Sequence, residues 1–242
     1  MPERAAIVTG ASSGIGLAIA GVLGELGYGM TLSARRPDKL EAAVQPLIDK
    51  GYEVEVIPAM LGEEDEVKRV VAAHRERFGR LDVLVNNAGV GIGGAVGDTQ
   101  TKRLDMMLDL NFRSPILFYR ETVDLLRAAG AEHKNALVVN TASIAGKSGQ
   151  AWLSIYAATK GALVNFTEGM NKELSNDGIK NTALCPAFVD TPMTDFAKAN
   201  GVDAEAMITP QDIAESVRFL LTLSPACIVP EIQFIRPGET GL

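Results

Sequence analysis

Short apolar runs alternate along this chain with longer segments in which apolar residues recur at helical spacing. Continuous apolar runs suit strands that are buried on both faces, and the helical spacing suits helices that cover those faces. The order of strand then helix recurs along the chain, which is typical of parallel sheets with helical crossovers. We therefore predict an α/β, Rossmann-like, doubly wound fold with a central, mostly parallel sheet of about seven strands.

The element boundaries follow from the apolar runs and from the glycines, prolines and polar residues that flank them. The predicted strands cover residues 5–8, 29–34, 54–58, 81–85, 137–140, 182–184 and 228–235. The predicted helices cover residues 15–26, 37–50, 63–78, 99–129, 156–176 and 209–223. Pro115 is expected to bend or break the fourth helix, and Thr209 to cap the last one with Pro210 in its first turn.

Residues 186–207 have mixed character and no clean period, which predicts a cover over a binding site at about residues 188–208. No linker or low-complexity stretch divides the chain. We expect residues 1–242 to form a single domain.

Composition narrows the possible partners. The chain has 242 residues, of which 47% are hydrophobic and 22% charged, and its formal net charge is -7. A negative balance argues against nucleic acid and favours small molecules. No stretch has the roughly 18 uninterrupted apolar residues of a membrane span, and the first residues lack the features of a secretion signal. We expect a cytoplasmic protein.

The cysteines and histidines predict neither disulfides nor a metal site. Cys185 and Cys227 lie near predicted strand ends without CxxC or Cys/His spacing, so we expect free, buried thiols in a reducing compartment. His74 and His133 fall on polar helical stretches far apart in sequence. Without clustered His or Cys ligands, no metal is expected.

A glycine-rich loop joins the first predicted strand to the first helix. Its backbone N–H groups and the positive end of the helix can hold a pyrophosphate, and side chains in place of the glycines would keep the phosphates away. The alternative is an ordinary glycine-rich turn. The candidate phosphate-binding residues are Gly10, Ser12, Ser13, Gly14, Ile15 and Gly16.

Tyr156 and Lys160 are four residues apart in a predicted helix, so their side chains share one face. An ammonium nearby should lower the tyrosine pKa from about 10 and favour proton transfer. Ser143 ends a predicted strand, where an open parallel sheet places its ligand crevice. The pair alone is also compatible with a common surface arrangement.

These motifs together resemble the short-chain dehydrogenase/reductase family over about residues 5–195, in particular its NADP-preferring carbonyl reductases and 3-oxoacyl-acyl-carrier-protein reductases. The resemblance rests on three features: the Thr-Gly-x-x-x-Gly-Ile-Gly loop, Asn-Asn-Ala-Gly at residues 86–89, and the set Asn111, Ser143, Tyr156 and Lys160.

The resemblance implies a role for each residue of that set. Tyr156 would donate a proton to the carbonyl oxygen, Lys160 would hold the nicotinamide ribose, and Ser143 would steady the oxyanion. Asn111 would carry a water-linked proton relay; without the resemblance it is a helix-bending or capping asparagine. Further cofactor contacts are implied for Asn87, Ala88, Gly89, Tyr156, Lys160, Pro186, Val189 and Thr191.

Two positions depart from the family pattern. Ala187 stands where the family has glycine after the sixth strand, and the extra methyl group would restrict that loop. Met60 replaces an aspartate next to the adenine, and it cannot accept a hydrogen bond from the adenine amino group as a carboxylate does. Adenine binding must therefore depend on backbone groups or apolar packing.

The residues after the second strand predict the choice of nicotinamide cofactor. Ala34 takes the place of the aspartate that NAD-dependent relatives use for the ribose hydroxyls, and Arg35 and Arg36 follow it. Guanidinium groups suit a 2′-phosphate, which predicts NADP(H). The alternative is that both arginines only solvate the turn before Pro37.

The predicted activity is NADP(H)-dependent hydride transfer between the nicotinamide and a carbonyl or secondary alcohol. The expected substrate wall is mostly apolar, which favours a ketone, aldehyde or ketoacyl compound; its residues include Ile144, Trp152, Leu153, Phe188, Met193, Phe196 and Met207. Trp152 could equally belong to the core or to a subunit interface. By resemblance, a homotetramer or homodimer is expected.

Two alternatives remain. A non-catalytic NADP-binding sensor of the same fold would have no need of Ser143, Tyr156 and Lys160 together. A nucleotide-sugar epimerase of the related extended family would need a larger substrate domain than the residues after Thr191 provide.

Overall fold

Seven parallel strands form one sheet in the computed structural model, which describes residues 2–195, 198 and 203–238. They are β1 (Ala5–Thr9), β2 (Gly29–Ala34), β3 (Val54–Pro58), β4 (Val83–Asn86), β5 (Ala136–Thr141), β6 (Ile179–Pro186) and β7 (Glu231–Phe234). Their order across the sheet is β3-β2-β1-β4-β5-β6-β7. The predicted fold class is confirmed.

Helices cover both faces of this sheet. They are α1 (Gly14–Glu25), α2 (Pro37–Asp49), α3 (Glu64–Phe78), α4 (Thr101–Leu108), α5 (Ser114–His133), α6 (Ser154–Leu174) and α7 (Pro210–Thr222). Asp109–Arg113 forms a π-helical turn between α4 and α5. This turn lies just before Pro115, where the sequence predicts a bend.

Two apolar layers hold the sheet between the helices. On one face, Ile19 and Leu23 of α1 pack with Val217 and Leu220 of α7 against the central strands. On the other face, helices α3 and α5 pack against the same strands, through residues that include Phe118. Strands β1 and β5 are buried along their whole length because both of their faces are covered.

The strand order reverses at the centre of the sheet. β1 pairs with β2 on one side and with β4 on the other, so the chain leaves β1 and β4 toward opposite faces. A crevice opens between the loops that follow these two strands, and ligands of open parallel sheets bind there. The fold thus places the glycine loop after β1 beside the Asn-Asn-Ala-Gly segment after β4.

Several boundaries differ from the predictions. β6 extends over Ile179–Pro186, beyond the predicted 182–184. The prediction missed the start of this strand because Lys180 and Asn181 are polar, although both are buried in it. β7 is shorter than predicted and begins only after Pro230.

The predicted cover contains two short 3₁₀ turns, Pro192–Thr194 and Ala204–Ala206, and a β-bridge between Val189 and Ile208. Its predicted wall residue Phe196 lies outside the described residues.

Candidate active site

Three adjoining cavities form a continuous cleft along the carboxyl ends of the strands. The basic cavity, about 550 Å³, extends from the glycine loop to Arg35, Met60 and Met106. The central cavity, about 240 Å³, is lined by the glycine loop, Tyr156 and Lys160. The apolar cavity, about 480 Å³, opens beyond Tyr156. The basic and central cavities share glycine-loop and post-β4 residues, while the central and apolar cavities share Ser143 and Tyr156.

Two glycines let the surrounding loops approach closely. Gly10 has a φ of 68°, and a Cβ atom there would lie 2.8 Å from Asn87 Nδ2. Gly14 has a φ of 55°, and its Cβ would lie 2.7 Å from Thr191 Cγ2. Both conformations favour glycine. The loop after β1 therefore contacts the loops after β4 and β6, and these three predicted cofactor segments meet in one place.

The first turn of α1 suits a bound anion. It contains no acidic residue, and the Ser13 side chain makes no capping hydrogen bond to the helix. Ser12, Ser13, Gly14 and Ile15 line the central cavity. Unpaired N–H groups and the positive end of the helix attract phosphate at such a position. Gly16 is buried behind the loop, where it permits close packing instead of lining the cleft.

Thr9, a residue outside the predicted site, fixes the Asn-Asn-Ala-Gly segment to β1. Its Oγ1 accepts hydrogen bonds from the backbone N–H groups of Asn87 at 2.9 Å and Ala88 at 3.0 Å, and donates to Val85 O. Asn87 Nδ2 donates to Thr9 O at 3.1 Å. Asn87 thus positions the segment, and Ala88 and Gly89 line both the basic and the central cavity. Thr9 could have been identified from the sequence, because it is the first residue of the Thr-Gly-x-x-x-Gly-Ile-Gly motif.

Asn111 lies buried in the π-helical turn and serves as a positioning group. Its Nδ2 donates to Val90 O at 2.9 Å and to Thr159 Oγ1 at 3.1 Å, and its Oδ1 accepts from Val90 N–H at 2.8 Å. Both amide N–H groups are used. A proton relay at Asn111 would therefore have to use its backbone carbonyl, and Thr159 is a partner that the sequence did not identify.

Ser143, Tyr156 and Lys160 converge where the central and apolar cavities meet. Ser143 Oγ accepts from Ala145 N–H at 3.1 Å, donates to Pro186 O at 3.4 Å and lies near the Tyr156 hydroxyl. Lys160 is almost fully buried, and its Nζ donates to Thr141 O at 2.6 Å. The same Nζ is 5.9 Å from the centre of the Tyr156 ring.

The expectation of a lowered tyrosine pKa is wrong for this arrangement. Burial raises the pKa of Tyr156, and the nearby Ser143 hydroxyl only partly opposes the rise. Burial also lowers the pKa of Lys160 to about 8. The reason is that desolvation disfavours both charged forms, while the ammonium is directed to the Thr141 carbonyl.

The segment after β6 closes one side of the central cavity. Pro186, Val189 and Thr191 line it, as the resemblance implies. Ala187 in place of glycine is accommodated, since its N–H donates to Phe234 O at 2.8 Å. Thr194, a residue not identified from the sequence, donates from Oγ1 to Thr191 O at 2.9 Å and fixes the turn.

Three cations line the basic cavity without an ion-pair partner in the described part of the chain: Arg35, Arg36 and Lys102. Three carboxylates, Glu63, Asp105 and Asp109, also line it. Unpaired surface cations beside a buried alanine, Ala34, suit a phosphate group. Lys102 had no sequence signal, because only the fold brings the start of α4 opposite the end of β2. The cleft therefore fits a dinucleotide with an additional phosphate.

The apolar cavity carries no charged side chain among its described lining residues. Its walls include Ile92, Ile144, Leu153, Phe188 and Met193, and its polar lining residues are Ser143, Gln150, Tyr156 and Thr194. Trp152 is 70% exposed, so it is not a core residue. Its φ of 67° is unusual for a bulky side chain, and its carbonyl accepts from Gly94 N–H at 2.7 Å.

Cys185 is buried as expected, but Cys227 is exposed and lies in the loop before β7, so that prediction is wrong. His74 is buried between Thr31 Oγ1 and Arg80 O, and burial lowers its pKa to about 4.

Within the described residues, no three His, Cys, Asp or Glu side chains are grouped as metal ligands. No helix there has the length and apolar character to cross a membrane.

The cleft lies at the switch point of a doubly wound sheet, where ligands of such folds bind, and a tyrosine, a lysine and a serine meet inside it. The family profile described as short chain dehydrogenase matches residues 4–201. The chain belongs to this family of oxidoreductases.

The chain is also similar to individual proteins along nearly its whole length. It is 34% identical to an uncharacterized oxidoreductase of Staphylococcus aureus (strain MRSA252), over 98% of each chain. A variant of actinorhodin polyketide ketoreductase with NADPH superposes with a TM-score of 0.85 and 30% identity, covering 96% of this chain and 94% of that one. An alcohol dehydrogenase of Thermococcus sibiricus with 5-hydroxy-NADP superposes with a TM-score of 0.85 and 29% identity, covering 96% of each chain.

Proposed function

We propose that this protein is an NADP(H)-dependent oxidoreductase that transfers a hydride between the nicotinamide and a carbonyl or secondary alcohol. The observation that carries the proposal is the convergence of Ser143, Tyr156 and Lys160 at the junction of the central and apolar cavities. A cofactor in the central cavity and a substrate in the apolar cavity would meet at the Tyr156 hydroxyl.

The cofactor assignment is supported by the cleft and by the relatives. Solved structures of similar proteins contain NADPH or an NADP derivative. The first turn of α1 would hold the pyrophosphate, Arg35 and Arg36 the 2′-phosphate, and Lys160 the nicotinamide ribose. Val189 and Thr191 line the part of the central cavity where the nicotinamide ring would lie.

Each polar group has a distinct task in reduction. The bound nicotinamide would supply the hydride. Tyr156 would donate its proton to the carbonyl oxygen, and a raised pKa suits a group that must stay protonated until then. Ser143 would hydrogen-bond the same oxygen as negative charge develops on it. Asn111 would position Lys160 and the segment at Gly89, and its backbone carbonyl would hold the water of a proton relay.

The apolar cavity favours a neutral substrate with apolar substituents, such as a ketone, an aldehyde or a ketoacyl compound. A charged group there would lose its hydration without gaining an ion pair from the described lining residues. The test is a screen of NADPH oxidation over ketones, aldehydes, quinones and β-ketoacyl thioesters. We expect turnover of neutral carbonyl compounds; no NADPH oxidation with any class would contradict the proposal.

The charge on Lys160 predicts how cofactor affinity depends on pH. Its pKa of about 8 means that the free protein loses this charge as the pH rises through that value. If the cofactor binds the charged form, the NADPH dissociation constant should be constant below the pKa and rise above it by up to about tenfold per pH unit. Equilibrium titration over a pH series measures this.

The control for that series is Lys160→Ala, which should bind NADPH more weakly and without the rise. Tyr156 has a raised pKa, and burial raises that of Cys185 to about 12, so neither should titrate in this range. The same slope in Lys160→Ala would show that another group is responsible.

We expect a homotetramer, with a homodimer as its building unit, formed through α5 and α6. The two helices are long, and the exposed small residues Ala158 and Gly169 on α6 leave room for a second helix to pack closely. Light scattering at micromolar concentration should give about four times the chain mass of 25.7 kDa. A monomeric mass would reject this assembly.

Both cysteine thiols are unpaired, which suits a location in the cytoplasm.

A further inference from the structure

The end of the basic cavity next to β3 is lined by four apolar side chains together with the carboxylates Glu63, Asp105 and Asp109. Met60 and Leu61 follow β3 on one side, and Met106 and Leu110 lie on the other. Leu61 is buried, whereas the Met60 side chain is 52% exposed. Met60 is therefore free to lie against a ring in the cavity, which a methionine does well because its side chain is unbranched and polarizable.

The backbone carbonyl of Met60 is already used within the protein, since it accepts from Glu63 N–H at 2.9 Å. Its N–H lies near the Glu66 carboxylate, whose pKa it helps to lower. Ala59 N–H donates in turn to Ala34 O at 3.0 Å. At this position the side chain that can face a bound base is a thioether, and it offers no strong hydrogen-bond acceptor for an amino group.

Removing a carboxylate here also changes the electrostatics of the cavity. NADP(H) brings a 2′-phosphate and a pyrophosphate, and a carboxylate at residue 60 would repel these charges. The cations Arg35, Arg36 and Lys102 on the same cavity attract them, and a carboxylate at residue 60 would add to the three that already line it, Glu63, Asp105 and Asp109. Affinity can then come from the phosphates and from apolar contact, without hydrogen bonds to the edge of the base.

We infer that this chain holds the adenine ring by apolar contact between Met60 and Met106 and does not recognise the adenine amino group. The inference rests on the proposed NADP(H) dependence. Its consequence is tolerance at the base: an analogue in which hypoxanthine replaces adenine should bind nearly as well as the natural cofactor. Hypoxanthine carries a carbonyl oxygen where adenine has the amino group and an N–H where adenine has the N1 acceptor, so it reverses the hydrogen-bonding pattern of that edge of the base.

The experiment compares equilibrium binding of NADPH and reduced nicotinamide hypoxanthine dinucleotide phosphate, followed by nicotinamide fluorescence. For the native protein, the two dissociation constants should agree within about threefold, because no hydrogen bond distinguishes the bases. Met60→Asp should prefer NADPH by about tenfold or more, since a carboxylate accepts from the amino group and repels the carbonyl oxygen. Met60→Leu is the matched apolar control and should keep the native ratio.

Two results would overturn the inference. A native preference for NADPH of about tenfold would place a hydrogen-bond partner at the base edge. Asp105 and Glu63 on the cavity wall are then the candidates, and Asp105→Asn or Glu63→Gln would identify which one acts. Absence of binding by both dinucleotides would reject the proposed function together with this inference, whereas adenine preference rejects the inference alone. Since Met60 is half-exposed, its variants should fold, and a thermal unfolding curve checks this.

Discussion

Replacing Tyr156 by phenylalanine should remove at least about 99% of turnover while leaving NADPH affinity nearly unchanged. The ring and its packing remain, and only the hydroxyl beside Ser143 is lost. Steady-state kinetics with the best substrate of the carbonyl screen and an NADPH titration measure the two quantities.

Tyr119→Phe provides a matched control for this change. Tyr119 is a buried tyrosine of α5 whose hydroxyl has no hydrogen-bond partner in the described part of the chain, and its ring packs edge-on against Phe166. Removing that hydroxyl should leave turnover intact. A loss below about tenfold in Tyr156→Phe would mean that another group supplies the proton.

The second large effect concerns the cofactor. We expect native kcat/KM to favour NADPH over NADH by at least about tenfold, because one charge-assisted contact to the 2′-phosphate is worth roughly 1.5–3 kcal/mol. Ala34→Asp combined with Arg35→Ala should reverse this order. The aspartate would accept from the ribose hydroxyls of NADH and repel the 2′-phosphate, and the phosphate would lose the Arg35 guanidinium.

The single variants separate the two contributions. Arg35→Ala should weaken NADPH alone, and Ala34→Asp should improve NADH as well as weaken NADPH. Ala34 is buried at the end of β2, so a thermal unfolding curve must accompany the kinetics. Equal efficiency with both cofactors in the native protein would show that Arg35 and Arg36 only solvate the turn before Pro37.

The sequence predicted the fold where apolar period and capping residues agree. Thr209 caps α7 through the Asp212 N–H, with Pro210 in the first turn, as the local pattern indicates. The ends of β6 were missed because Lys180 and Asn181 are polar. Lys180 Nζ donates to Ser224 O, and the backbone of Asn181 is held by the Asn171 side chain, although the buried Asn181 side chain itself has no hydrogen-bond partner in the described part of the chain. Such long-range compensation is not visible in local hydrophobicity.

The same limit applies to the site. The motifs identified the residues that line the cleft, because glycine spacing and the Tyr-x-x-x-Lys pair are local features. The acceptor of Lys160, Thr141 O, lies on another element and could not be predicted. The direction of the tyrosine pKa shift was therefore wrong, since spacing shows that two groups are near but not how burial shifts each charge. Lys102 was not identified from the sequence, because only the folded chain brings it to the cavity that Arg35 and Arg36 line.

The most direct test of the central claim is to follow deuterium from the reactive carbon of the nicotinamide ring. The native protein would be given a carbonyl substrate and NADPH labelled on one or the other face of that ring, and the alcohol product analysed by mass spectrometry. We predict that one of the two labelled cofactors transfers its deuterium to the carbinol carbon and that the other retains it. Product formed without deuterium from either cofactor would contradict hydride transfer from NADPH at this site.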